Sequence, residues 1–397
     1  MAYCLIYQVK QPEIISEHVT SAPLHGFGVT IIGAGVVGLS IAARVARKSR
    51  KTLILERNGS FGHETSSRNS GVVHAGLYYP EDSLKARLCV EGNAALYQLC
   101  RKYGIPFQNL GKLVVATEEA EVSQLHVLLE QGRMNGVEGL KLLSRGELRQ
   151  LEPNIAGTAA LFSSTTGIID AYALMSFFLQ QAKDGGAILV CNSEVIGVQP
   201  TSHGYEVTIR DREGLTSFIT ATLVNCAGLS SDKIAQLVGI DIDRAGYRLH
   251  YCKGEYFILP PSKQGLVTHL VYPVPEPRGA GLGIHVTLDL EGRIRLGPNA
   301  EYVDDIDYRV DENYKQRFYD SPRRLLPQLQ CDELQPDFAG IRPKLQGPGD
   351  GFRDFIIRQE ADRGLPGLVN LIGIESPGLT ASPAIGRYVG DIIAQCL

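Results

Sequence analysis

The chain is 397 residues long, 44% hydrophobic and 21% charged, with a formal net charge of -4 at pH 7. Such a composition supplies a large core for two or three domains, or one discontinuous one, and with no basic tract it leaves no footprint for nucleic acid. No run reaches the roughly 18 apolar residues of a membrane span, and eight single cysteines without a C-x-x-C pair suggest neither zinc nor a disulfide framework, which fits a cytoplasmic protein.

Residues 1–28 carry one cation, Lys10, against Glu13 and Glu17, and so resemble neither a secretory signal nor a transit peptide. An N-terminal arm is expected there. Residues 29–32 form a short apolar run, a buried strand. Residues 39–47 have helical periodicity, and residues 52–55 form a second strand that ends at Glu56. A polar, glycine-punctuated loop follows, "SSRNSGVVHAGLYYP". The next segment, "SLKARLCVEGNAALYQLCRKYG", predicts a helix with Leu84, Leu88, Ala95 and Leu99 on its apolar face and Gly104 as its stop. "KLVVAT" reads as a strand and "EEAEVSQLHVLLEQGRMNG" as a helix with acids in its first turn.

"TGIIDAYALMSFFLQQAKDGGAILVCNSEVIGVQ" predicts a turn, a helix, a Gly-Gly break and two strands. "YEVTIRDREGLTSFITATLVNCAG" reads as a hairpin-like pair followed by an apolar strand. Residues 240–340 are rich in strand patterns and prolines. "GLVNLIGIESPGLTASPAIGRYVGDIIAQCL" closes the chain as a strand, a Pro-Gly loop and an amphipathic helix. Strands suited to one sheet at both ends of the chain predict an interleaved two-domain enzyme.

Gly33, Gly35 and Gly38 form G-x-G-x-x-G between the first strand and helix, and Glu56 closes the next strand. The first glycine permits a tight turn, the second lets backbone approach a pyrophosphate, and the third allows helix and strand to pack closely. The helix N-terminus attracts the phosphates, and the acid accepts from a ribose hydroxyl. NAD and FAD share this fingerprint. The C-terminal "GIESPGLTASPAIG" favours FAD, because a returning strand and helix would aim a helix N-terminus near Thr380 at the flavin pyrimidine. "LVNCAGLSSD" supplies a second turn suited to close backbone approach.

With "GAGVVGLSIA", "SSRNSGVVHAGLYYPEDSLKARLCVEG", "GKLVVAT", "EPNIAG", "TGIIDAYAL", "VNCAGLSSD", "KGEYF", "YPVPEP", "GIHVTLD", "LGPNA", "AGIRPKL" and "ESPGLTAS", the chain resembles the FAD-dependent oxidoreductases of the D-amino-acid oxidase superfamily. Within it the likeness is to the L-2-hydroxyglutarate dehydrogenase/oxidase group. The resemblance implies an α/β fold, a Rossmann-like FAD-binding domain of the GR2/DAO type interleaved with an antiparallel β-sheet substrate domain. We place the FAD part at residues 29–85, 170–238 and 350–397, and the substrate part at 86–169 and 239–349. The implied reaction oxidises the CH–OH group of a small 2-hydroxy acid by hydride transfer to flavin N5, with oxygen or a quinone as final acceptor. An amine or amino-acid oxidase, or a tailoring enzyme for a larger metabolite, is the alternative; a flavin-binding protein without turnover is disfavoured by the presence of both His74 and Arg342.

Oxidation of an alcohol by flavin needs a base for the hydroxyl proton and a cation to orient the carboxylate. His74 is the candidate base; related glycerol-3-phosphate oxidases place a histidine at the corresponding spot. Arg342 is the expected carboxylate clamp, and Lys253 is expected to line the pocket. Ser67, Arg68, Asn69 and Ser70 are expected to wrap the pyrophosphate and flavin. Arg57, Val195, Ala227, Gly228, Pro377, Gly378, Leu379 and Thr380 complete the expected cofactor contacts, and Tyr78, Tyr272 and His285 are candidates for the substrate side.

Overall fold

The computed structural model describes residues 26–275 and 283–396. Most of the expected N-terminal arm and the end of "YPVPEP" lie outside them.

The opening strand, Phe27–Ile32, is apolar because both of its faces are covered; Val29, Thr30 and Ile31 have no exposed surface. It pairs in parallel with Thr52–Leu55 on one side and with the end of Leu215–Asn225 on the other. Ala187–Val190 and Leu365–Ile372 extend this parallel sheet at its two margins. Both ends of the chain therefore share one sheet. Helices Val36–Val45, Ala171–Asp184 and Gly378–Cys396 cover one face, where Leu39, Phe178, Ile385 and Val389 cluster with Val29 and Ile31. An antiparallel meander, Glu194–Thr201, Gly204–Arg210 and the start of Leu215–Asn225, covers the other through Val198, Val207 and Phe218. This is the Rossmann-like layer.

Three local expectations change. Leu215–Asn225 is one strand, not a hairpin arm plus a separate strand: its first half belongs to the meander and its second half to the parallel sheet. The first helix begins at Val36 instead of residue 39, because Gly38 in its first turn has no side chain to register in an apolar pattern. Finally, the division at residues 85/86 cuts the Leu84–Tyr103 helix, which is capped by Ser83 and ended by left-handed Gly104. The buried Leu88, Leu96, Tyr97 and Cys100 of that helix join the cluster of the parallel sheet, so it packs with the Rossmann-like layer.

This helix meets the C-terminal one at a glycine. A Cβ on Gly92 would collide with the main chain of Thr380 and Ala381. Gly92→Ala is expected to lower the melting temperature, costing about 1–3 kcal/mol as an overpacked contact does. Thermal unfolding monitored by circular dichroism checks this.

Among the described residues the second sheet has nine strands. It is antiparallel except at one junction, where Leu270–Pro273 runs parallel to Lys112–Ala116. Within it, His250–Ile258 and Gln335–Lys344 form a long antiparallel pair. Phe257, Leu296, Phe318 and Leu326 supply its core. Apart from that junction it is the antiparallel sheet that the resemblance implies for the substrate domain.

Candidate active site

A continuous cavity of about 1910 Å³ runs from the glycine fingerprint to the second sheet. That volume exceeds the range of about 300–1,000 Å³ usual for a small-ligand pocket and suits a dinucleotide together with a substrate. Gly33 adopts φ +102°, and an added Cβ there would strike the Cys226 carbonyl; on Gly38 it would strike the Gly33 carbonyl. Glu56 anchors the turn, its carboxylate accepting from Ala34 N at 3.0 Å and from Asn58 N and Nδ2 at 2.9 Å. These three bonds leave acceptor capacity on the carboxylate for a ribose hydroxyl. Ser66 Oγ accepts from Val36 N at 3.0 Å, which ties the polar loop to the helix N-terminus. Sequence reasoning passed over Ser66, because nothing local distinguishes it from Ser67.

The loop is folded by its own amide. Asn69 Nδ2 donates to Thr65 O and Ser66 O at 3.2 and 2.8 Å, and Asn69 Oδ1 accepts from Gly71 N at 2.9 Å. Gly71 (φ +65°) then turns the chain into Val72–Val73, which pairs with Gly167–Ile169. His74 follows at once. Its main chain is held at both ends: His74 N donates to Thr380 Oγ1 at 2.9 Å, and His74 O accepts from Asn93 Nδ2 at 2.9 Å. Its Nε2 stands 3.3 Å from Ser376 Oγ, while the buried Nδ1 has no hydrogen-bond partner among the described residues. Burial, with Lys112 and His285 nearby, pushes the imidazole down to about 3. A histidine so depressed is neutral, and able to accept a proton, at every pH well above 3. The second-order rate of flavin reduction is therefore expected to show no acid limb near the ordinary histidine value of about 6.5. Stopped-flow reduction between pH 5 and 8 checks this; a limb at 6.5 would contradict it.

Arg342 reaches the cavity from the Gln335–Lys344 strand. Its Nε donates to Cys252 O at 3.3 Å, and its Nη2 donates to Lys253 O at 3.1 Å and Asn299 O at 2.6 Å. Nη1 has no protein partner among the described residues, so the fork is fixed with one edge free for a ligand. Gly254 makes room, since a Cβ there would press on Nη2. Asn299 is locked in turn, accepting from Glu255 N at 2.7 Å and donating to Glu255 Oε2 at 3.0 Å. The His74 loop is stapled to this strand. Thr65 Oγ1 donates to Ile341 O at 3.0 Å, and Gly340 lets the Arg68 carbonyl lie where a side chain would otherwise stand.

Among the other expected residues, Arg57, Arg68, Asn69, Ser70, Val195, Ala227 and Gly228 line the cavity, as do Pro377, Gly378 and Leu379 at the start of the C-terminal helix. Arg57 bridges Glu64 and Ser230 across the crevice, and Arg68 lies 4.0 Å from the Tyr308 ring centroid. Tyr78, Tyr272 and His285 face the same space; His285 stacks on Tyr272 at 3.7 Å, and its Nδ1 lies 2.8 Å from Gly283 O.

Three expected residues do not line it. Lys253 is on the wrong face: the antiparallel register pairs Arg342 with Cys252, so the neighbouring Lys253 points to the other side of the sheet. There its ammonium meets Glu255 at 3.2 Å and the Arg309 carbonyl. Thr380 is fully buried, because its hydroxyl is used to hold His74 N and Val72 O. The exposed Ser67 donates to Glu64 O at 3.2 Å, within its own turn. Besides Ser66, sequence reasoning missed Asn93, a polar position on the buried face of its helix, and Lys112. The Lys112 ammonium is buried 4.5 Å from the Tyr78 ring centroid and 4.8 Å from that of Tyr272, and burial pushes it down to about 7.

The family model described as "FAD dependent oxidoreductase" matches residues 28–392. The chain belongs to this DAO family. It is 39% identical to the mitochondrial L-2-hydroxyglutarate dehydrogenase of Arabidopsis thaliana, over 91% of this chain and 82% of that one. It is 32% identical to the mitochondrial L-2-hydroxyglutarate dehydrogenase of Homo sapiens, over 94% and 90%. Among solved structures, the dithionite-reduced, FAD-bound L-alpha-glycerophosphate oxidase of Mycoplasma pneumoniae superposes with a TM-score of 0.83 at 26% identity, over 94% of this chain and 95% of that one. The residues present fit the flavin nucleotide that a DAO-family enzyme uses. The glycine cradle admits a pyrophosphate, the Glu56 carboxylate suits a ribose, and the 19-residue C-terminal helix turns its N-terminus to the same cavity. No helix of the described residues is long and apolar enough to cross a membrane.

Proposed function

We propose that this DAO-family enzyme oxidises the CH–OH group of a small 2-hydroxy acid of the L-2-hydroxyglutarate kind. The observation that carries this reading is the convergence of an immobilised, neutral imidazole and a half-satisfied guanidinium on one cavity. Arg342 Nη1 binds the carboxylate beside the carbinol carbon, and its fixed plane sets the orientation of the substrate. His74 Nε2 takes the hydroxyl proton, so the carbonyl forms as the C–H bond breaks. When bound, FAD would supply the two-electron acceptor for that hydride at N5. The first turn of the C-terminal helix adds positive potential on the flavin side.

Anaerobic mixing of the yellow holoprotein with 2-hydroxy acids, amino acids and glycerol 3-phosphate tests the substrate class. Bleaching by 2-hydroxy acids is expected; bleaching by amino acids or glycerol 3-phosphate alone would overturn the reading. Oxygen and a quinone are the two candidate electron acceptors, and the rates of reoxidation by air and by a soluble quinone distinguish them. A reducing compartment, the cytoplasm, is consistent with the free cysteines among the described residues, although the two curated relatives above are named as mitochondrial; cell fractionation separates the possibilities.

A further inference from the structure

The geometry points to Lys344 as the residue that binds the second carboxylate of a dicarboxylic substrate and so selects dicarboxylic over monocarboxylic 2-hydroxy acids. This deepens the 2-hydroxy-acid reading and rests on it. Lys344 lies two residues beyond Arg342 on the same strand, and the register pairs the two with His250 and Cys252, so both side chains leave the sheet on one face. Two residues of strand set the two Cα atoms about 6.6 Å apart, so two long side chains leaving the same face can meet the two ends of one short dicarboxylate. Both residues line the cavity.

The charge around Lys344 is unbalanced. Lys344 is 8% exposed, and its ammonium makes no hydrogen bond to protein among the described residues; its ionic contact is with Glu375, at 3.5 Å. Glu375 is already engaged by Lys85 at 2.9 Å. Burial raises the Glu375 carboxyl, but Lys85, Lys344 and Arg342 more than reverse this and hold it below the ordinary range. Glu375 is thus a full anion, and it offsets one of three cations. Arg342, Lys344 and Lys85 thus share one carboxylate in a largely desolvated space, and the Lys344 ammonium has only a 3.5 Å ionic contact and no hydrogen-bonded acceptor among the described residues, which is costly for a buried cation. A ligand with two carboxylates supplies both acceptors: one meets Arg342 Nη1, and the other accepts from the free Lys344 donors. A monocarboxylic acid leaves Lys344 unsatisfied.

The test uses non-reducible ligands, read as the perturbation of flavin absorbance in the FAD-loaded protein. Wild type is expected to bind glutarate about 10- to 100-fold more tightly than its monoamide, 4-carbamoylbutyrate, which keeps the shape and loses one charge. Lys344→Met is expected to remove that preference while leaving butyrate affinity within about twofold, and Lys344→Arg is expected to retain it. Equal affinities of wild type for glutarate and the monoamide, or equal losses for glutarate and butyrate in Lys344→Met, would overturn the assignment. The wild-type comparison stands even if the variant fails to fold. A glutarate preference without bleaching by any 2-hydroxy acid would remove the proposed reaction and leave the role of Lys344 intact. Bleaching without the preference would remove only the role of Lys344.

Discussion

His74→Ala is expected to slow anaerobic flavin reduction by about a hundred- to ten-thousand-fold, the range contributed by a positioned general base, with substrate affinity changed only a few-fold. The split follows from the geometry. The His74 main chain is fixed by Thr380 Oγ1 and Asn93 Nδ2, and neither bond uses the imidazole. Truncating the ring therefore removes the proton acceptor and leaves the loop in place, so the change falls on the chemical step and not on binding. Stopped-flow measurement of the limiting reduction rate and the apparent dissociation constant separates the two. An unchanged limiting rate would remove His74 as the base. Asn93→Ala makes a graded comparison: it loses the bond that fixes His74 O and is expected to lower the limiting rate less than His74→Ala does.

The second large effect is expected at Arg342. Arg342→Leu removes a charge-assisted contact in a shielded site, a change that costs about 2–5 kcal/mol, or roughly thirty- to several-thousand-fold in affinity. The loss should appear in the dissociation constant of every 2-hydroxy acid tested. Arg342→Lys should recover little of it. An ammonium cannot reproduce a planar fork that rests on the Cys252, Lys253 and Asn299 carbonyls while presenting Nη1 to the cavity. Flavin-absorbance titration with substrate and with a non-reducible acid measures both variants; undiminished affinity in Arg342→Leu would count against the clamp.

Local chemistry made the nucleotide half of this enzyme legible in the sequence. The strand, the three glycines, the helix and Glu56 lie close together in the chain, and each reports its own backbone requirement. His74 was legible through the resemblance, since related glycerol-3-phosphate oxidases place a histidine at the corresponding spot; here it directly follows the short Val72–Val73 strand. Arg342 could be named as a clamp, but the carbonyls that lock it come from residues 252, 253 and 299, and that packing exists only after two distant strands have paired. The same pairing explains why Lys253 was misplaced. A one-residue step along a strand reverses the face, and no feature of "KGEYF" says which residue will stand opposite Arg342. Thr380 shows a different limit. It lies in the first turn of the returning helix, as expected, but its hydroxyl faces inward to hold the base. Lys112 and Lys344 were silent because a lysine in a strand gives no sign that its ammonium will be buried.

The most direct test of the whole arrangement is a crystal structure of the FAD-loaded protein with a non-reducible 2-hydroxy-acid analogue. The account predicts a nucleotide running from the Gly33 turn to the Pro377–Gly378 end, with the analogue's carboxylate on Arg342 Nη1 and its remaining polar end toward Lys344. The carbinol position should lie within hydrogen-bonding reach of the His74 ring. A structure with flavin in place but the analogue bound away from both His74 and Arg342 would contradict it.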